Sequence, residues 1–235
     1  MKTVLFIHGF SAKSEDNIYF INYLKEKRID VNAFVLPGHF ENKVEKSTSK
    51  EWLEASEREL KKLISKNKKV ILVGHSMGGA IATILASRYK VEKLVLIAPA
   101  FSIGSFNQNI NDFKNLIMRK EERKFGSGFE GILTKTLTVN KSNIKEVKKI
   151  ALLAKHRIKD VKCPLLLLHG TIDNVVSIKS SIELFGEFNC KKTFTLLTNV
   201  RHQVFKSNKR YDISKYIYNF IKGGIPFLMN QKNQL

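Results

Sequence analysis

The stretch Val70-Ile71-Leu72-Val73-Gly74-His75-Ser76-Met77-Gly78-Gly79-Ala80-Ile81-Ala82-Thr83-Ile84-Leu85-Ala86 decides the fold. Four apolar residues read as a buried strand, and the small-residue run after Gly79 reads as a helix packed closely on a sheet. Between them lies G-x-S-x-G, a turn too sharp for ordinary backbone. The serine at its tip must take an unfavourable conformation, and a Cβ at position 74 or 78 would clash with chain passing close by. Glycine on both flanks is therefore a steric requirement, and the serine hydroxyl is expected at the carboxyl end of a strand.

Working outward, apolar runs alternate with helical stretches. Strands are expected at Thr3–Ile7, Val31–Val35, Lys69–Val73, Lys93–Ile97, Leu165–Leu168 and Lys192–Leu197, each short and unbroken, as in a sheet covered on both faces. Helices are expected at Asp16–Lys27, Lys50–Lys66, Met77–Tyr89, Ile178–Phe188 and Tyr211–Ile221. In the second, Leu53, Leu60, Leu63 and Ile64 mark the inward face. Such alternation implies an α/β fold whose mostly parallel six-stranded sheet carries helices on both faces.

Residues 101–162 break this rhythm. They hold no convincing strand, only helical patterns near Asn109–Lys124 and Ser142–Lys155 around Gly126-Ser127-Gly128. A structureless loop of that length is improbable, so the segment reads as a helical cap inserted into a core made of residues 1–100 and 163–235. Most of its phenylalanines are expected to form cap core, and Phe101, Phe106 and Phe113 are candidates for the wall of an apolar substrate pocket.

The chain has 235 residues and a net charge of +20. Residues 101–162 and 191–235 carry +8 each. Such a field suits nucleic acid, an anionic membrane surface or an anionic substrate, although lysine enrichment on a solvated surface is the simpler account. No helix-turn-helix, zinc-finger or aromatic-basic RNA-binding motif is present, so nucleic acid is not an expected partner. The N-terminal apolar run is too short for a signal peptide, and no run of about 18 apolar residues occurs; a cytoplasmic protein is expected. Cys163 and Cys190 are the two cysteines. They form no C-x-x-C, and no metal or other cofactor is expected.

A serine hydroxyl needs a base, and the base needs a carboxylate to orient it. Asp173 follows the strand Leu165–Leu168 in His169-Gly170-Thr171-Ile172-Asp173, and His202 follows the last strand in Asn199-Val200-Arg201-His202. Both fall at carboxyl ends of strands, as Ser76 does, where open parallel sheets build sites. His8, His75 and His169 sit beside glycines in strand-end turns and are expected to shape the pocket by hydrogen bonding. His39 and His156 occupy positions this arrangement does not reserve for a base. Backbone N–H groups of Met77, after the serine, and Phe10, in His8-Gly9-Phe10-Ser11, are candidates for an oxyanion hole.

Taken together, His8-Gly9-Phe10, Leu36-Pro37-Gly38-His39, Gly74-His75-Ser76-Met77-Gly78-Gly79, His169-Gly170-Thr171-Ile172-Asp173-Asn174-Val175-Val176 and His202 resemble the α/β-hydrolase superfamily, in its compact carboxylesterase and monoacylglycerol-lipase-like branch. The resemblance spans residue 3 to about residue 221, the cap excepted. It implies Ser76 as nucleophile, Asp173 as acid, His202 as base, Phe10 and Met77 as oxyanion donors, and cofactor-free hydrolysis of small-molecule esters of short to medium acyl chains, monoacylglycerols or lysophospholipids among them; the alternatives are a thioesterase, acyltransferase or peptidase on the same fold, or a non-catalytic binding scaffold. The chain departs from the pattern in two ways: it starts at the strand bearing the His-Gly loop, without the antiparallel hairpin of larger members, and Arg201 stands where small residues are common.

Overall fold

The computed structural model describes residues 2–10, 17–40, 44–66, 68–101 and 141–224. Six strands, β1 (Lys2–Ile7), β2 (Asp30–Ala33), β3 (Lys69–His75), β4 (Lys93–Ile97), β5 (Leu165–Gly170) and β6 (Lys192–Leu197), form one sheet in the order β2-β1-β3-β4-β5-β6. Every described pairing is parallel. Six helices are described: α1 (Ile18–Glu26), α2 (Ser49–Ser65), α3 (Met77–Arg88), α4 (Lys141–Arg157), α5 (Ile178–Phe185) and α6 (Arg210–Lys222).

The period-two alternation of side chains along a strand divides the interior into two cores. Leu5, Ile7, Val70, Leu72, Leu94, Leu96, Leu165 and Leu167 point to one face, against Trp52 and Leu60 of α2, Ile81 and Leu85 of α3, Ile150 and Ala154 of α4 and Leu184 of α5. Val4, Phe6, Ile71, Val73, Val95, Ile97, Leu166 and Leu168 point to the other, against Phe20 and Leu24 of α1 and Ile213, Ile217 and Phe220 of α6. The four inner strands are apolar on both sides and almost wholly buried, whereas the edge strands β2 and β6 are partly exposed and carry Asp30, Asn32, Lys192, Thr193 and Thr195. Polar edges of this kind discourage pairing with a further strand.

This division positions the site. The chain leaves β1 for α1 on one face and leaves β3 for α3 on the other, so the carboxyl ends of these neighbouring strands flank a topological switch point. The His8-Gly9-Phe10 loop and Ser76 lie at those two ends.

Local signals account for the helices. Thr48 caps α2 in a capping box, its Oγ1 accepting from Glu51 N–H while Glu51 accepts from Thr48 N–H. The buried face of α2 is Trp52, Ala55, Ser56, Leu60 and Leu63, with Leu53 and Ile64 at its margins; the largest anchor is thus Trp52, whose Nε1 donates toward Ser47 Oγ at 2.9 Å and Pro37 O at 3.0 Å. Helix α4, the described part of the segment expected to form a cap, packs on α2 and α3. Its Glu146 carboxylate accepts from Ser49 N at 2.9 Å and Ser49 Oγ at 2.6 Å, at the N-terminus of α2. The helix expected near Asn109–Lys124 lies outside the described residues.

Some of the positive charge has a structural use at helix C-termini. Lys192 Nζ donates to the carbonyls of Phe185, Gly186 and Phe188 at 2.7–3.0 Å, closing α5. Lys93 and Lys2 donate to the last carbonyls of α6, which ends on Gly223 at φ 102°. Cys163 and Cys190 are free thiols immediately before β5 and β6, and burial pushes the Cys163 thiol up to about 12. Among the described residues, no helix is long and apolar enough to cross a membrane.

Candidate active site

Ser76 sits between β3 and α3 with φ 55° and ψ −121°, a conformation that costs a non-glycine residue about 1–3 kcal/mol. Its surroundings impose it. Ser76 N–H donates to Ile97 O at 2.9 Å, and Ser76 O accepts from Gly79 N–H at 2.9 Å and Ala100 N–H at 3.0 Å. The flanking glycines are required as expected: a Cβ on Gly74 would lie 2.3 Å from Gly78 O, and one on Gly78 would lie 2.1 Å from Ile7 O. Gly9 approaches from the β1 loop, where a Cβ would stand 3.0 Å from Ser76 Cβ.

The β1 loop carries Phe10 to the same place. Leu36 N–H donates to His8 Nε2 at 2.9 Å, which leaves the proton on Nδ1, 2.8 Å from Gly9 O. Neutral His8 thereby ties the loops after β1 and β2 together. His39 lies against His8, Phe10 and Trp52, edge-on to each ring. Burial, with a smaller contribution from His8, pushes the His39 imidazole down to about 4, so it too is neutral at pH 7. The Met77 N–H, first in α3, has no carbonyl within the helix to receive it, as at any helix start.

Across the switch point, the loops after β5 and β6 are clamped together. Thr171 N–H donates to Leu197 O at 3.0 Å and Ile172 N–H to Val200 O at 3.3 Å, while Asn199 N–H donates to Thr171 Oγ1 at 2.9 Å. Gly170 permits this closeness, since a Cβ there would lie 2.1 Å from Val200 O. The clamp brings His202 Nδ1 to 2.8 Å from Asp173 Oδ2. Asp173 Oδ1 accepts from the N–H groups of Val175 at 2.8 Å and Val176 at 3.0 Å.

The Asp173 side chain is fully buried and that of His202 is 11% exposed. Burial pushes the Asp173 carboxyl up, but the His202 charge and hydrogen bonds from His169, His202 and Val176 more than offset it, and the group is held well below the usual carboxylate range. The His202 ring lies 4.9 Å from that of His75, and His75 Nε2 donates to His202 O at 2.9 Å. Ser76 follows His75 in the chain, so the His75–His202 contact relates its turn to the Asp173–His202 pair; Met77 is the next residue, and Gly9, before Phe10, approaches the serine.

A second serine and histidine stand near the same carboxylate. His169 Nδ1 is 2.8 Å from Ser181 Oγ, and His169 Nε2 is 3.2 Å from Asp173 Oδ2. Both residues are 0% exposed, so this pair meets no substrate. His8, His75 and His169, each beside a glycine at a strand end, all hydrogen-bond around these loops. Leu36, the His202 carbonyl and Ser181, their distant partners, and the close approach at Gly170 are marked by no local sequence signal. Phe101 is 2% exposed and packs 6.2 Å from the Phe188 ring, in the core. Phe106 and Phe113 lie outside the described residues. Among the described residues, no group of three or more His, Cys, Asp or Glu is arranged to hold a metal ion.

The chain is similar to "Putative esterase/lipase 2" of Mycoplasma pneumoniae, at 27% identity over 84% of this chain and 81% of that one. A relative of the same name from Mycoplasma genitalium is 24% identical over 98% and 90%. Among solved structures, the lipolytic enzymes LipS and LipT, derived from a metagenome, provide a match with a TM-score of 0.75 and 21% identity, covering 94% of this chain and 93% of the other. The monoacylglycerol lipase of Paleococcus ferrophilus matches at 0.70 and 22%, covering 94% of each. At these identities the structural likeness concerns the fold. The family described as "alpha/beta hydrolase fold" matches residues 2–124, more than half of the chain, and the protein belongs to that family.

Proposed function

We propose that the protein is a serine ester hydrolase in which Ser76 is the nucleophile, His202 the base and Asp173 the acid that orients it. The observation that carries this reading is the 2.8 Å contact between His202 Nδ1 and Asp173 Oδ2, made beside a serine held in a strained turn. The names of the relatives, esterases and lipases, agree with it.

Ser76 Oγ attacks the ester carbonyl carbon as His202 Nε2 takes its proton, and Asp173 stabilises the resulting imidazolium. The oxyanion is received by the N–H groups of Met77 and Phe10, each worth about 3 kcal/mol in the transition state. Collapse expels the alcohol, which takes the proton from His202 and leaves an acyl-serine. Water, deprotonated by His202, attacks the acyl carbon and releases the acid. Substrates are esters of short to medium acyl chains, with monoacylglycerols and lysophospholipids as the natural class. Ser181 and His169 form a serine–histidine contact beside Asp173, and its complete burial argues against a role as nucleophile and base.

The test is hydrolysis of p-nitrophenyl esters from acetate to palmitate by wild type and by Ser76→Ala. Turnover that collapses in the variant supports the reading, and the chain-length optimum sizes the pocket. Turnover that persists in Ser76→Ala overturns it.

A further inference from the structure

Asp173 Oδ2 faces two imidazoles. His202 Nδ1 approaches at 2.8 Å and His169 Nε2 at 3.2 Å. His169 Nε2 also lies 3.1 Å from Val176 O. A carboxylate at this site and a carbonyl only accept, so the proton of His169 sits on Nε2. Nδ1 is then free to accept from Ser181 O–H at 2.8 Å. His169 and Ser181 are both 0% exposed, and burial favours the neutral ring with both nitrogens satisfied.

We infer that His169 is a positioning residue of the Asp173–His202 pair, held by Ser181 as its Nε2–H tautomer, so that its one N–H, shared with Val176 O, also faces the carboxylate oxygen that receives His202. This rests on the reading of His202 as the base. The arrangement does two things. With both backbone N–H bonds on Oδ1, the His169 bond on Oδ2 immobilises the carboxylate before substrate arrives. It also spends part of the acceptor capacity of Oδ2, which His202 would otherwise have to itself.

Among the described residues, the groups facing this pair come from β3, the β5 and β6 loops and α5. His202 meets Asp173 from the β5 loop, the His75 ring from β3 and the adjacent Arg201 in its own loop. His169 meets Asp173 and, from α5, Ser181. The sign follows. Removing the His169 donor leaves Oδ2 to His202 alone, stabilises the imidazolium, and raises the pH at which His202 loses its proton. Ser181→Ala weakens the same donor by removing the bond that polarises the ring, and acts in the same direction to a smaller extent.

The experiment is NMR titration of the His202 ring, assigned by its loss in His202→Asn, in wild type, His169→Leu, His169→Gln and Ser181→Ala. The expected His202 pKa rises by about half to one unit in His169→Leu, returns toward wild type in His169→Gln, which restores an N–H donor, and rises slightly in Ser181→Ala. An unmoved titration in folded His169→Leu overturns the inference. Should His169→Leu fail to fold, an unmoved titration in Ser181→Ala does so. Nitrogen shifts that place the His169 proton on Nδ1, or on both nitrogens, also overturn it. Ester hydrolysis is assayed in parallel. A shifted His202 titration without turnover of any ester removes the hydrolase reading and leaves the inference standing, whereas turnover with an unmoved titration does the reverse.

Discussion

His75 Nε2 donates a hydrogen bond to the main-chain oxygen of His202 at 2.9 Å, joining the residue before the candidate nucleophile to the candidate base across 127 positions of sequence. The two rings lie 4.9 Å apart. The turn that strains Ser76 and the loop that carries His202 are therefore held in one register by a buried side chain.

His75→Phe retains a ring and removes the donor. Leaving the buried His202 carbonyl short of this donor costs on the order of 1–2 kcal/mol and loosens the base loop, so kcat falls about tenfold with KM little changed. His75→Gln, which restores an N–H near the Nε2 position, recovers part of the loss. Steady-state kinetics of the two variants check this, and equal defects in both would remove the hydrogen bond from the account.

Gly170→Ala attacks the clamp between the β5 and β6 loops. Its Cβ would stand 2.1 Å from Val200 O, and backbone there cannot yield without separating Asp173 from His202. A displacement of this kind lowers kcat by about 100-fold and lowers the melting temperature. Circular dichroism and turnover measured on the same sample give both effects.

Ser76 is expected to trade stability for function. At φ 55° glycine is at ease and alanine is not, so Ser76→Gly gains about 1 kcal/mol, or roughly 2–4 °C in melting temperature, while Ser76→Ala gains little. Both variants are inactive. Thermal melts of the three proteins side by side separate relief of backbone strain from loss of the hydroxyl.

His39 makes stability depend on pH. Its folded-state value of about 4 lies below the ordinary 6.5, so between these values the unfolded chain binds a proton that the folded one refuses. The contribution is complete above pH 6.5 and declines as pH falls toward 4, by about 3 kcal/mol in all. In His39→Asn, whose amide can still donate to Pro37 O, the urea midpoint falls less steeply over that window. Parallel curves for the variant and wild type would contradict this.

What was legible in the sequence is what local chemistry dictates. Unbroken apolar runs marked the four inner strands, and the need for glycine at 74 and 78 marked the turn; the edge strands are polar, and β2 lies at Asp30–Ala33, ahead of the expected Val31–Val35. The nearness of Asp173 to His202 was legible because each lies just past a strand and parallel strands deliver their carboxyl ends to one edge. What was not legible depends on chain returning from far away. The Gly170–Val200 approach, the His75–His202 bond and the sharing of Asp173 between two histidines each join separate strands. Trp52, the anchor of α2, stands one residue before Leu53, so the buried face is rotated from the one that Leu53, Leu60, Leu63 and Ile64 suggest. Ile150 and Ala154, in the segment expected to be a cap, pack with the main core because α4 lies on α2 and α3.

The central claim is that Ser76 carries the chemistry, and covalent trapping tests it most directly. The protein would be treated with diethyl p-nitrophenyl phosphate, and the adduct counted by intact mass and located by peptide mapping. The account predicts one diethylphosphoryl group per chain, on Ser76, with esterase activity lost in proportion to labelling and no adduct in Ser76→Ala. An adduct on Ser181, or complete labelling of Ser76 with activity retained, would contradict it.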